Sequence, residues 1–95
     1  MVDNVFLALQ SVDEARYIVE AIEDDNPEAK IEYQPAMMRI TAPGRLTIKR
    51  STVSEKMGRD WDPQELQLVL VTFGGNVDET DDEFTLYWGE YSKQD

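Results

Sequence analysis

The sequence contains neither cysteine nor histidine among its 95 residues. Without cysteine there is no disulfide, thiolate metal site or thiol nucleophile, which fits a reducing cytoplasm. Without histidine, the usual imidazole base and the commonest metal ligand are missing as well. Carboxylates and lysine could still act as catalysts, so a carboxylate-based hydrolase remains a distant alternative. We otherwise expect neither catalytic residues nor a bound metal or cofactor.

Positive charge and long apolar runs are also scarce. Nine Lys and Arg residues accompany 20 Asp and Glu, which gives a formal net charge of −11. This charge disfavours nucleic acid and anionic lipid and favours a positively charged protein partner. No apolar run is long enough to span a membrane, and the start of the chain carries acid where a signal peptide carries base. We therefore expect a cytoplasmic protein.

The length predicts a single domain over residues 1–95. Hydrophobic periodicity predicts an α+β fold with the order β-α-β-β-β-α-β-β, in which mostly antiparallel sheets pack with two main helices. The predicted strands cover residues 4–10, 30–34, 37–41, 45–50, 66–76 and 84–88. In the strand at 45–50 we expect Leu46 and Ile48 to point inward, and Arg45, Thr47 and Lys49 to point outward.

Each predicted helix begins with a capping-box pattern. Ser11 and Glu14 match the first box, and Thr52 begins the second. The apolar stripe that follows the first box is Ala15, Ile18, Val19 and Ile22. Asn26 before a proline is expected to end the first helix, and Gly58 is suited to a left-handed cap at the end of the second.

The most apolar stretch, residues 66–76, predicts a central strand that is buried on both faces. A single turn at Asp62-Pro63 would feed it, Gly74-Gly75 would end it, and residues 84–88 would be its neighbour in the sheet. The acidic run at 78–83 is predicted to be a solvated loop, with a protein contact or a metal site as alternatives. It lacks the glycine and glutamate positions of a calcium loop.

Two groups of residues could contact a partner. The cluster formed by Arg39, Arg45, Lys49 and Arg50 is either a solvated sheet face or a docking patch. Trp61, beside Arg59 in a polar segment, is either a core residue or a partly exposed anchor, because Trp and Arg dominate contact energies. A DNA mimic or acidic inhibitor of a basic protein is the second idea, but positive residues interrupt the acids between Lys30 and Arg59.

Seven segments, in their order and spacing, resemble those of one protein family. They are residues 4–10, 18–22, 25–27, 40–46, 58–60, 64–67 and 81–86. The chain resembles the regulatory (effector or coupling) proteins of bacterial multicomponent diiron monooxygenases, the methane monooxygenase regulatory protein B family, and especially its phenol hydroxylase branch. None of the segments is a catalytic signature.

The resemblance implies a non-catalytic, cofactor-free regulatory subunit of a phenol or aromatic hydroxylase. Such a protein docks on the α subunit of the hydroxylase component above its diiron centre, competing or alternating with the reductase. It promotes hydroxylation and couples it to NADH oxidation, which physically is differential binding to two states of the hydroxylase. The lack of His and Cys fits, because the iron and its ligands belong to the partner.

The resemblance also implies a docking segment. In the methane monooxygenase branch, small polar residues along the strand at 66–76 lie near the hydroxylase. The matching positions here are Val69, Val71, Thr72, Phe73, Gly74, Gly75 and Asn76. We predict that the far end of this strand docks, that Arg45, Arg59 and Trp61 add contacts, and that Gly75→Val impairs turnover with little loss of fold.

Overall fold

A four-stranded and a three-stranded sheet form the framework of the protein, whose computed structural model describes residues 4–88. The strands are β1 (Asn4–Gln10), β2 (Lys30–Tyr33), β3 (Met37–Pro43), β4 (Arg45–Lys49), β5 (Leu70–Gly74), β6 (Asn76–Glu79) and β7 (Glu83–Tyr87). The helices are α1 (Asp13–Asp25) and α2 (Arg50–Met57), and a 3-10 helix (Pro63–Leu68) precedes β5. The predicted α+β class with two main helices is confirmed, and β6 is an additional short strand.

All strand pairs are antiparallel. The first sheet has the order β2-β3-β1-β5, and the second has the order β4-β7-β6. The predicted hairpin of β2 and β3 is confirmed by the pairing of Ile31 with Ile40. In the first sheet β1 lies between β3 and β5, so the chain begins its described part with an interior strand.

The hydrophobic core lies between the two sheets and the helices. Val5, Leu7 and Leu9, alternate residues of β1, are fully buried there. Helix α1 adds its stripe as predicted, since Ala15, Ile18, Val19 and Ile22 are all buried. Leu46 and Ile48 of β4 point inward, also as predicted. The structure contains no helix between residues 4 and 88 that could cross a membrane.

The helix ends differ from the predicted capping boxes. Helix α1 has Val12 at its N-cap and no side-chain cap, because the helix begins one residue later than Ser11 predicts and Glu14 binds Arg59 instead. Helix α2 begins at Arg50, so Thr52 lies inside it; the Arg50 amide donates to the Asp82 carbonyl at 2.8 Å. The end of α2 is confirmed: Gly58 has φ 77° and donates to the Ser54 carbonyl.

The prediction of a central strand at residues 66–76 is wrong in two respects. Its first part belongs to the 3-10 helix, which Pro63 and a capping box of Asp62 and Glu65 begin. The remainder forms β5, which is an edge strand of the first sheet and pairs with β1. The neighbours of β7 are β4 and β6 and not β5, because the chain passes from one sheet to the other at Gly75.

Two smaller predictions also need correction. The acidic run is only partly a loop, because Asp78 and Glu79 pair with β7 in strand β6. Thr47 is buried rather than outward-pointing: it stands opposite Thr85, and the two hydroxyl oxygens lie 3.4 Å apart in a hydrogen bond.

Asn26 joins the end of α1 to the outer edge of β4. Its amide nitrogen donates to the Ile22 carbonyl at 3.0 Å and to the Thr47 carbonyl at 2.7 Å. Its amide oxygen accepts from the Thr47 amide at 3.0 Å. The side chain therefore pairs with both backbone groups of Thr47 as a neighbouring strand would, and it satisfies donors and acceptors that a half-buried edge would otherwise lose.

We expect Asn26→Ala to lower the free energy of unfolding by about 2–3 kcal/mol, because it removes the side-chain partner of both the amide and the carbonyl of Thr47, which are partly buried. Urea denaturation of both proteins measures the difference. Asn76→Ala is a suitable control because Asn76 is exposed on β6, and a surface change of this kind alters stability by about 0.5 kcal/mol or less. Equal stability of the two variants would contradict the role assigned to Asn26.

Candidate docking surface

Exposed apolar side chains are concentrated in one part of the chain. Of the eight large hydrophobic residues exposed between residues 4 and 88, four lie in the 3-10 helix, β5 and β6. They are Leu68 (69% exposed), Val71 (50%), Phe73 (38%) and Val77 (42%). Such a concentration marks an interaction surface more often than scattered single residues do. We call residues 68–77 the docking segment.

Strand β5 presents this segment at the edge of the first sheet. One side of β5 pairs with β1, and no strand of the described chain pairs with the other side. The pairing slips between Ala8 and Leu9, where a bulge changes the partner from Thr72 to Leu70 and leaves Val71 without one. An apolar edge strand of this kind is suited to contact another protein.

The outer face of the first sheet continues from the docking segment. Arg39, Ala8 and Thr72 stand in one row across β3, β1 and β5, and Phe6 pairs with Gly74. The Phe6 ring lies over Gly74 so closely that a Cβ there would overlap it. The Arg39 guanidinium carbon lies 4.3 Å from the centre of the same ring. We call Phe6, Ala8, Arg39, Thr72 and Gly74 the sheet platform.

Gly75 forms the corner between β5 and β6. Its φ of 135° is one that residues with a Cβ rarely adopt, and a Cβ there would lie 3.1 Å from Val5 Cγ1 and 3.4 Å from the Tyr87 carbonyl oxygen. The expectation that Gly75→Val spares the fold is therefore wrong. A β-branched side chain would strain the backbone and press on a fully buried valine, so this variant cannot separate docking from folding.

Arg45 and Asn76 lie near this corner on the second sheet. Each pairs in register with Tyr87, so they share a face and stand two strands, about 10 Å, apart. Trp88 comes directly after β7 at the same end of the sheet. It is 43% exposed, and its indole N–H donates to the Asn4 carbonyl at 2.8 Å. Arg45 and Asn76, two of the predicted site residues, therefore lie at the same end of the second sheet, near the end of the docking segment.

Two predicted site residues cannot touch a partner. Val69 is 5% exposed, and its carbonyl accepts from the Gln10 amide at 2.8 Å. Trp61 is fully buried in the core, its amide donates to Ser54 Oγ, and its indole nitrogen has no hydrogen-bond partner within residues 4–88. The polar neighbours of Trp61 in the sequence favour exposure. The side chain is nevertheless buried, because the core offers space for a residue of this size.

Leu68, Val77 and Trp88 are exposed residues outside the predicted site. Leu68 falls within the stretch that is predicted to be a buried strand, and Val77 lies between that stretch and the acidic run. Asp62-Pro63 is a helix-start signal in the sequence. A helix that begins there and continues for one further turn includes Leu68, which can then lie on its exposed side. No comparable signal identified Val77.

Arg59 is exposed but already engaged within the molecule. Its Nη2 donates to Glu14 Oε2 of α1 at 2.9 Å and to Glu65 Oε1 of the 3-10 helix at 3.0 Å, and Nη1 donates to the Asp60 carbonyl. Glu65 Oε2 in turn accepts from the Asp62 amide at 3.2 Å. Arg59 therefore connects the first turn of α1 to the helix that leads into β5, and its predicted contact with a partner stays a prediction.

The same contacts shift the pKa values of the pair. The hydrogen bond to Glu65 raises the pKa of Arg59, and the hydrogen bond from Arg59 lowers the pKa of Glu65 below its ordinary value. A second pair behaves alike: the hydrogen bond between Arg50 and Asp60 lowers the pKa of Asp60. Because these carboxylates are favoured in the charged form, their stabilising contribution is present above their unfolded pKa and disappears as the pH falls through the folded one.

We expect Glu65→Gln to be less stable than the original protein at neutral pH, since the variant loses the ion pair with Arg59 but keeps its size. The difference in thermal midpoint should shrink as the pH falls below about 4.5, the ordinary glutamate value, because Glu65 then takes up a proton in the unfolded chain before it does so in the folded one. Thermal unfolding of both proteins, measured from about pH 3 to about pH 7 in steps of about one unit, gives the difference in midpoint at each pH. A difference that is constant across the range would contradict the assignment.

The acidic turn between β6 and β7 is held by Thr80. Its hydroxyl oxygen accepts from the Asp82 and Glu83 amides at 3.2 and 3.0 Å, and its own amide donates to the Glu83 carbonyl. Within residues 4–88 the structure places no three Asp, Glu, His or Cys side chains together as a metal site would require.

Comparison with known proteins gives a family match over most of the chain. The model of the MmoB/DmpM family matches residues 3–87. The stimulatory component DmpM of phenol 2-monooxygenase from Pseudomonas sp. (strain CF600) is 55% identical over 84 residues, which are 88% of this chain and 93% of that protein.

Solved structures agree with this match. A chain in a structure of a phenol hydroxylase–regulatory protein complex is 49% identical, with a TM-score of 0.87 over 92% of this chain and 100% of that one. The soluble methane monooxygenase regulatory protein B is 22% identical, with a TM-score of 0.73 over 94% of this chain and 67% of that one, and it shares the fold.

Proposed function

The chain belongs to the MmoB/DmpM family, and we propose that it is the non-catalytic regulatory subunit of a multicomponent phenol hydroxylase. The observation that carries this proposal is the 55% identity with a phenol 2-monooxygenase stimulatory component over nearly its full length. The structural likeness to a chain of a phenol hydroxylase–regulatory protein complex supports the hydroxylase component as the partner.

We place the contact with the hydroxylase on the docking segment. Its exposed apolar residues and the unpaired side of β5 supply a surface that a partner can cover without displacing any contact of the described chain. Val71, Thr72, Phe73 and Asn76 are the predicted site residues exposed there. Arg45, two strands from Asn76, extends this surface onto the second sheet.

The proposed mechanism is a shift between two states of the hydroxylase. A regulator without catalytic groups changes a rate only by binding one state of its partner more tightly than another. A tenfold preference corresponds to about 1.4 kcal/mol, which a few exposed apolar contacts can supply. In this proposal the chain docks on the α subunit, alternates with the reductase there, and acts in the cytoplasm, where NADH is available.

A steady-state assay tests the proposed function. Purified phenol hydroxylase and its reductase are titrated with this protein, while NADH consumption and hydroxylated product are measured together. We expect both the turnover rate and the product formed per NADH to rise to a plateau. Unchanged turnover and unchanged coupling across the titration would rule out a regulatory subunit.

We expect Val71→Asp to weaken binding to the hydroxylase by about tenfold or more, because it puts a charge into an apolar contact. The fold should be retained, since Val71 is half exposed on the edge strand. Titration calorimetry measures the affinity, and circular dichroism checks the fold. Tyr33→Asp is the matched control, because Tyr33 is 69% exposed at the opposite edge of the same sheet. Equal affinities of the two variants would place the contact elsewhere.

A further inference from the structure

We propose that Arg39 is the anchor through which the sheet platform receives a carboxylate side chain of the hydroxylase component. The inference rests on the proposed function and extends its contact from the edge of β5 onto the outer face of the first sheet. Four features of the structure support it: an unused ion-pair partner, an aromatic support, continuity with the docking segment, and the charge of the protein.

Arg39 does not use the carboxylate nearest to it in the sheet. Glu32 stands directly opposite on β2, and opposite charges in such positions ordinarily attract each other. Yet Arg39 takes part in no ion pair or hydrogen bond within the described chain. Its side chain instead lies over the ring of Phe6 on β1, on the side toward β5. All the planar N–H donors of the guanidinium therefore remain available.

The support of the guanidinium is built by two residues. The Phe6 ring can lie flat across β5 only because Gly74 has no side chain. The ring then holds Arg39 at 4.3 Å, within the range of a cation–π contact. A guanidinium that is held in place loses less conformational freedom on binding, and its planar donors match a carboxylate in a two-bond contact.

The position and the charge indicate the hydroxylase as the source of the carboxylate. Arg39 stands in register with Ala8 and Thr72, so it shares one face of the sheet with Thr72 of the docking segment, and a partner that extends from Thr72 across Ala8 reaches it. In a protein of net charge −11 the overall field attracts positive surfaces but does not fix their register. Arg50, Lys56 and Arg59 are engaged in ion pairs within the molecule, whereas Arg39 can give one local contact of opposite sign.

Four variants in the full chain test the proposal: Arg39→Gln, Arg39→Glu, and the controls Arg16→Gln and Arg16→Glu. Arg16 is exposed on α1 beside Tyr33 and Met38, which places it on the opposite side of the first sheet. Each control makes the same change in net charge as its counterpart. Affinity for purified phenol hydroxylase is measured by titration calorimetry, and thermal unfolding checks that each variant is folded.

We expect Arg39→Gln to weaken binding by about tenfold or more, the usual effect of removing a charge-assisted hydrogen bond, and Arg39→Glu to weaken it further through repulsion. The Arg16 variants should stay within about twofold of the original protein. If Arg39→Gln binds as Arg16→Gln does, or if Arg39→Glu binds as well as Arg39→Gln, Arg39 does not receive a carboxylate. Failure of the original protein to bind would instead overturn the proposed function and this inference with it.

Discussion

The backbone at Gly75 is the constraint on which the docking surface depends. At φ 135° the chain leaves the first sheet after β5 and enters the second as β6. If the chain continued straight in the first sheet, residues 76–79 could not pair with β7. The same corner packs on Val5 and Tyr87, which belong to the two sheets. One residue without a Cβ therefore connects the two halves of the framework and exposes the residues on either side of it.

The ion pairs of the described residues join segments that are separate in the sequence. Arg59 connects α1 to the 3-10 helix, Lys56 connects α2 to the end of α1, and Arg50 connects α2 to the segment before Trp61. Surface ion pairs of this kind add little stability singly. Here they join short elements to one another, and none of the ion pairs within residues 4–88 involves Arg39 of the sheet platform.

A regulator of this design needs no catalytic group of its own. Its exposed edge and apolar segment are features that an isolated protein would ordinarily cover, because uncovered edges invite association. Their retention is understandable if a partner covers them during function. Val71 and Phe73 supply apolar contact area. The orientation of the partner can be fixed by polar and charged side chains, namely those of Thr72, Asn76, Arg39 and Arg45. In the proposed mechanism the rate effect follows from the difference in affinity for two states of the partner.

The sequence by itself determined the element types and the family. Periodicity identified β1, α1, the β2–β3 hairpin and β4, because in each case one face is consistently apolar and the local pattern agrees with the tertiary environment. The order and spacing of seven short segments indicated the regulatory family, and with it the lack of catalytic groups. Gly58 was identified because a left-handed cap is a local backbone property.

Only the tertiary structure decided which strands are neighbours and which apolar residues are exposed. Residues 66–76 are as apolar as a central strand, but strand pairing depends on contacts between distant segments, and β1 rather than β7 lies beside β5. Trp61 entered the core and Leu68 remained on the surface against the polarity of their neighbours. The Arg39 guanidinium lies over the Phe6 ring, and that ring lies over Gly74, which is two strands away from Arg39. These three residues are far apart in the sequence, so no single stretch of it predicts the contact. Burial and pairing are properties of the assembled chain, whereas periodicity and turn chemistry are local.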